Sequence, residues 1–196
     1  AMFAADEKTI EYLSGRTDAK IETFGPDADA EYSETHHIDC SGLEPQIAFP
    51  HNPDNVKSIS EVGDVPVQQA FIGSCTNART EDLERAAAIL KGHQVASGTR
   101  LLVIPSSQEA MMNVTRSGVL NILVEAGAMI APPGCGPCGG SSSGVLGAGE
   151  NGIASTNRNF KGRMGSTEAF NYLASPETVA ASAIEGRIAD PRKYIN

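Results

Sequence analysis

Cys75, Cys135 and Cys138 are the side chains best equipped to do chemistry in this chain. Cys75 sits in FIGSCTN (Phe71 to Asn77) and the other two in PGCGPCGG (Pro133 to Gly140). Three thiolates brought together can hold an iron-sulfur cluster that needs four ligands, and the iron left without a protein ligand is a Lewis acid open to substrate. A cluster that only carries electrons is normally closed by a fourth cysteine. The pattern therefore points to catalysis, because an open iron can grip a hydroxyl and a carboxylate and help the hydroxyl leave. The Cys-x-x-Cys pair alone is shared with zinc sites and thioredoxin-like redox pairs, and spacing by itself leaves both open.

A second constellation is STNRNFKGRMG (Ser155 to Gly165), in which Arg158 and Arg163 are accompanied by Asn157 and Asn159. Guanidinium groups present forked donors that match carboxylates, so a dicarboxylate would fit such a segment. Two arginines on a solvated surface are the plainer reading, and composition alone does not separate the two.

The elements that must position these residues follow from pattern and punctuation. Cys75 follows the apolar run Val67 to Ile72 and precedes a helical pattern over Thr80 to Leu90, which predicts a strand end facing a helix start, surroundings that suit an anionic ligand. Cys135 and Cys138 follow Ala128 to Ala131 and lie among Gly134, Gly136, Pro137, Gly139 and Gly140. Such a stretch lets the backbone wrap closely around an inorganic core. Strands are predicted at Lys20 to Phe24, Tyr32 to Cys40, Val67 to Ile72, Arg100 to Ile104 and Met129 to Ala131. Helices are predicted at Asp6 to Leu13, Thr80 to Leu90, Ser107 to Arg116, Leu120 to Ala126 and Ser175 to Gly186, and Leu43 to Asp54 reads as an extended loop. Alternating strands and helices imply an α/β fold, a three-layer α/β/α arrangement with a mostly parallel sheet covered on both faces. Ligands gather at the carboxyl ends of strands in that architecture, and both cysteine loops sit at such ends. Residues 1–66 read as an irregular segment and 67–196 as the α/β domain that carries the cysteines.

Composition narrows the function classes. The chain has 196 residues, 40% hydrophobic and 20% charged, which is globular rather than disordered. A net charge of -9, from 15 basic and 24 acidic residues, argues against a nucleic-acid surface, which draws on clustered Lys and Arg. No apolar run approaches a membrane span, and the opening residues lack the apolar core of a signal peptide. A cytoplasmic, reducing setting suits the cysteines, and Cys40 reads as a small buried residue. Other motifs carry less. Gly147 to Gly152 matches G-x-G-x-x-G by letter, yet it leads into the strand-like run Ile153 to Thr156 rather than from a strand into a helix. Adjacent His36 and His37 point to opposite sides of a strand, one buried and one wet, and make poor joint ligands. His51 reads as a loop hydrogen-bonding residue and His93 as a charge at a helix end. Glu81, Asp82 and Glu84 read as a solvated first helical turn.

FIGSCTNARTEDL, the PPGCGPCGG loop followed by GVLGAGE, and TNRNFKGRMG together resemble the aconitase superfamily. The similarity is to its large-subunit branch of 3-isopropylmalate dehydratases, homoaconitases and dimethylmalate dehydratases. It runs over nearly the whole chain, including IDCSGLEPQIAFPHNPDNV and SPETVAASAIEGRIADPRKY. The resemblance implies that Cys75, Cys135 and Cys138 bind a [4Fe-4S] cluster, and that Asn157, Arg158 and Arg163 bind a hydroxy-dicarboxylate. The implied reaction is a dehydration and rehydration that moves a hydroxyl between adjacent carbons, as in leucine biosynthesis. Large subunits of this kind are about twice as long and work with a small, swivelling-domain subunit. The chain is therefore expected to be the carboxyl-terminal part of a large subunit, without a catalytic base of its own and inactive alone. One departure from the family pattern is Gly139 to Ser143, where a larger residue and a histidine are common. A structural zinc module and an RNA-binding role are the competing readings from other classes.

Overall fold

The computed structural model describes residues 3–195, which divide into two compact units at Gly42/Leu43. In the first, helix α1 (Glu7–Ser14) is capped by Asp6, whose carboxylate accepts from the Thr9 amide at 2.8 Å. Every described side chain of this unit keeps at least partial exposure. The strands expected at Lys20 to Phe24 and Tyr32 to Cys40 do not form, since extended backbone is rewarded only by a partner strand or a buried face, and neither is present. Cys40 is exposed rather than buried, and both His36 and His37 are exposed.

The second unit holds one seven-stranded sheet. Its strands are β1 (Gln46–Ala48), β2 (Val56–Ser58), β3 (Gln69–Ile72), β4 (Arg100–Val103), β5 (Met129–Ile130), β6 (Asn151–Ala154) and β7 (Phe170–Leu173), in the spatial order β2-β1-β7-β6-β3-β4-β5. The five strands from β7 to β5 are parallel, and β1 joins β7 and β2 antiparallel. Residues 43–66, read from sequence as part of the irregular first segment, thus supply two strands to the main sheet. The helices are α2 (Thr80–Leu90), α3 (Gln108–Arg116), α4 (Val119–Glu125) and α5 (Pro176–Glu185). Ser107 and Ser175 cap α3 and α5 by accepting from the amides of Ala110 and Thr178, and Gly186 closes α5 in the left-handed region at φ 69°.

Alternate residues of the strands face two separate cores. Ala70, Ile72, Leu101, Val103, Ile153 and Tyr172 pack with Leu83, Leu90, Val114, Leu123 and Val179 of the helices. On the other face, Phe71, Leu102, Ile104 and Ala154 pack with Leu146, Met164 and Ala169, all from irregular segments. The expected α/β class and mostly parallel sheet form, but the second helical layer is replaced by loops. The glycine- and serine-rich stretch from Gly134 to Gly144 cannot sustain a helix. Among the described residues, no helix is long and apolar enough to cross a membrane.

Connection handedness explains the sidedness. The chain runs β3 to β4 to β5 in one direction across the sheet through α2, α3 and α4. It then reverses, jumping from β5 to β6 and on to β7. Right-handed crossovers that reverse direction must lie on the opposite face. The β5–β6 and β6–β7 connections, which contain the cysteine pair and the two arginines, accordingly share the loop-covered face. Adjacent β3 and β6 send their connections to opposite faces, which opens a crevice at their carboxyl ends.

Candidate active site

Cys75 lies just beyond β3, Asn157 and Arg158 just beyond β6, and Cys135 and Cys138 beyond β5. With Ser74 and Arg163 they line one cavity of about 220 Å³. That is below the roughly 300–1,000 Å³ of pockets for drug-sized ligands, and suits a compact inorganic core or a small anion. Six of the side chains singled out from the sequence meet here, while Asn159 is fully buried away from the lining and donates to the Phe49 carbonyl at 2.8 Å. Cys75 and Cys135 are exposed to the cavity, and Cys138 is half-buried against the core formed by Phe71, Leu102 and Ile104.

Each loop is held by specific contacts. The Ser155 hydroxyl, fully buried, accepts from the Gly73 amide at 3.1 Å and lies 3.2 Å and 3.1 Å from the carbonyls of Gly73 and Asn77. It therefore ties the end of β6 to the Cys75 loop. Ser74 adopts φ 93° in the left-handed region while buried, a conformation that costs a non-glycine residue about 1–3 kcal/mol and tends to mark functional turns. Cys135 and Cys138 span a short 3₁₀ turn in which the Cys138 amide donates to the Cys135 carbonyl at 3.1 Å. Gly140, at φ 76°, closes that turn against the arginine loop so tightly that a β-carbon there would lie 2.9 Å from the Arg163 carbonyl oxygen. Farther along, Gln69 donates to the Gly144 carbonyl and accepts from Arg100, which pairs with Glu150 at 2.9 Å. This network pins the return of the cysteine loop across the sheet.

Two arginines and an asparagine line the cavity beside the three thiols. Arg163 is half-buried, its Nη2 donates to the Cys138 Sγ at 3.5 Å, and its guanidinium sits 5.3 Å from the Phe160 ring centroid. Its Nε is buried and has no partner among the described residues. No carboxylate or imidazole lines the cavity among the described residues, so its electrostatics favour an anion. Among those residues no three His, Cys, Asp or Glu side chains are grouped closely enough to hold a single metal ion. A tetrahedral zinc with donors at about 2.0–2.3 Å requires a meeting point, whereas a cubane takes its thiolates at separate corners.

Several residues outside the sequence reading belong to the site. Ser74 lines it, and neither its left-handed backbone nor the Phe160 ring beneath Arg163 leaves a trace in the sequence pattern. The run of short side chains Ser74-Cys75-Thr76-Asn77 was the available hint of a turn. The discounted motifs stay apart from the cavity. Gly147 to Gly152 is a turn into β6, in which the Glu150 carboxylate accepts from the Gly147 amide at 2.8 Å. His51 stacks on Phe170 and His93 packs edge-on to Tyr194. Asp82 accepts from the Arg79 amide at 3.1 Å and so caps α2.

Comparison with known proteins identifies the family. The model of the Aconitase family (aconitate hydratase) matches residues 1–66 and 57–186. The chain is 52% identical over 194 residues to 3-isopropylmalate dehydratase large subunit 1 of Methanopyrus kandleri, 46% to the large subunit of Moorella thermoacetica and 45% to that of Clostridium kluyveri. Each match covers 99% of this chain but 46% of the relative, so the chain spans less than half the length of these curated relatives. With the family model matched over most of its length, this chain belongs to the aconitase family.

Proposed function

We propose that this chain is the cluster-bearing part of a hydro-lyase large subunit, which with a small subunit interconverts 2- and 3-isopropylmalate in leucine biosynthesis in the cytoplasm. The observation that carries this reading is the convergence of Cys75, Cys135, Cys138, Asn157, Arg158 and Arg163 on one cavity. Three thiols around a compact cavity fit a [4Fe-4S] cluster with one iron left open, and glycines at φ 52° and 76° (Gly136 and Gly140) let the backbone follow it closely. When bound, such a cluster supplies Lewis-acid polarisation of a substrate hydroxyl.

The chain's own residues then have distinct tasks. Arg158 and Arg163 bind the carboxylates of a hydroxy-dicarboxylate as forked donors. Asn157 adds an amide donor beside them. Phe160 fixes the plane of Arg163 and shields one face from water. The lining holds no carboxylate or imidazole, and we assign proton removal from carbon to the small subunit or to the rest of the large subunit.

Iron and labile sulfide counts on anaerobically prepared protein test the cluster. About four of each per chain, with visible absorption lost in C75S, is expected; colourless protein binding one zinc would overturn the assignment. Interconversion of 2- and 3-isopropylmalate by dehydration and rehydration should appear only when the full large subunit and the small subunit are combined. Turnover by this chain alone would refute the division of labour.

A further inference from the structure

Asn157 reaches the cavity with a side-chain orientation dictated by its neighbours. The Asn77 Nδ2 lies 2.6 Å from the Ser155 carbonyl oxygen, which can only accept, so the nitrogen of Asn77 must face it. The same nitrogen lies 3.4 Å from the Asn157 side chain, which must therefore present its oxygen. The Thr76 hydroxyl, 2.6 Å from that oxygen, is consequently a donor to it. Its single proton is then committed, and the Ser74 hydroxyl at 3.1 Å is the donor to Thr76. The sequence of donors runs from Ser74 through Thr76 to the Asn157 Oδ1, with Asn77 as a second donor. Both lone-pair directions of the Asn157 oxygen are thus taken by residues of the Cys75 loop, and Nδ2 has no partner among the described residues.

We infer that Thr76 and Asn77 are positioning residues that lock the Asn157 amide with its oxygen turned toward the Cys75 loop. The two Nδ2 protons are thereby offered to an anionic ligand in the cavity. An unlocked amide could rotate and present oxygen, placing an acceptor beside the Arg158 and Arg163 donors that line the same cavity. This deepens the reading of the cavity as an anion site and rests on it. The buried Ser155 hydroxyl and the left-handed Ser74 hold the loop against β6, so the lock forms without a ligand present.

The test uses the metal-free chain labelled with ¹⁵N-asparagine and titrated with malonate, the smallest stable dicarboxylate. Malonate should move the Asn157 side-chain amide pair. T76V, close in size but lacking the hydroxyl, should weaken malonate binding about five- to tenfold, as loss of one ordered hydrogen bond would. T76S should restore it. N157D keeps the acceptor for Thr76 and Asn77 but lacks the donors, and should lose binding. The deciding comparison is a double-mutant cycle in which T76V has no further effect in the N157A background. Equal weakening by T76V in both backgrounds, or no movement of the Asn157 amide in the parent protein, would overturn the inference. Iron and sulfide uptake, counted separately on the same proteins, tests the cluster assignment and does not enter this comparison.

Discussion

Replacing Gly140 with alanine probes whether the cysteine turn and the arginine loop build one cavity. Two costs are expected at this position. The residue is left-handed at φ 76°, which costs an L-residue roughly 1–2 kcal/mol relative to glycine. A β-carbon would also lie 2.9 Å from the Arg163 carbonyl oxygen and 3.4 Å from that of Gly162, both backbone atoms that cannot swing aside. Crowding of that kind costs about 1–3 kcal/mol. Gly149 provides the control, because its φ is 74° and a β-carbon there meets nothing within 4 Å. G149A should therefore lose only the backbone contribution, about 1–2 kcal/mol, while G140A loses about 2–5 kcal/mol. Urea denaturation of the two metal-free variants measures the difference directly. An excess of roughly 1–3 kcal/mol for G140A is the worth of the loop contact. If the two variants unfold with equal stability, Gly140 does not abut Arg163 and the cavity as described is wrong.

The remaining predictions concern other supports of the site. S155A leaves the buried Gly73 amide unpartnered and should cost about 1–3 kcal/mol, with faster hydrogen exchange in Gly73 to Asn77 as the local signature. F71A empties a fully buried site beneath the Cys138 turn and should cost about 3–5 kcal/mol by chemical denaturation. R163K keeps the charge but loses the fork, so the metal-free chain should bind malonate more weakly, while a thermal shift within a few degrees of the parent would show the fold intact. The Gly147 amide, and secondarily Arg100, hold the Glu150 carboxyl below its ordinary value of 4.5. A carboxyl depressed in the folded state stabilises that state above the unfolded pKa, and the benefit fades as pH falls through the folded pKa. E150Q should therefore lower stability at neutral pH and flatten its decline below about pH 4.5 in pH-dependent urea titrations.

Periodicity and capping residues made the helices legible, because both act within a few residues along the chain. Thr80 to Leu90 was expected as a helix and is one, and Ser107 caps α3 as its position suggested. Strands β1, β2 and β7 escaped notice because three- or four-residue runs carry little pattern, and their partners are remote in sequence. Conversely, Tyr32 to Cys40 has strand-like composition but no partner, and stays irregular.

The site divides along the same line. Side-chain chemistry singled out the three cysteines and raised the two arginines as candidates, since thiolates and guanidinium forks are specific groups, and the family resemblance added Asn157 and the arginines' binding role. Their assembly was decided by the reversal of chain direction after β5, which sends both connections to one face of the sheet. The left-handed Ser74, the Ser155 bridge between β6 and the Cys75 loop, and the orientation of the Asn157 amide depend on contacts across some eighty positions of sequence. The sequence by itself determined which reactive groups this protein carries and which local segments turn or coil. Only the tertiary structure decided that they share a cavity and which way their donors point, because hydrogen bonding and packing between distant segments have no counterpart in local sequence.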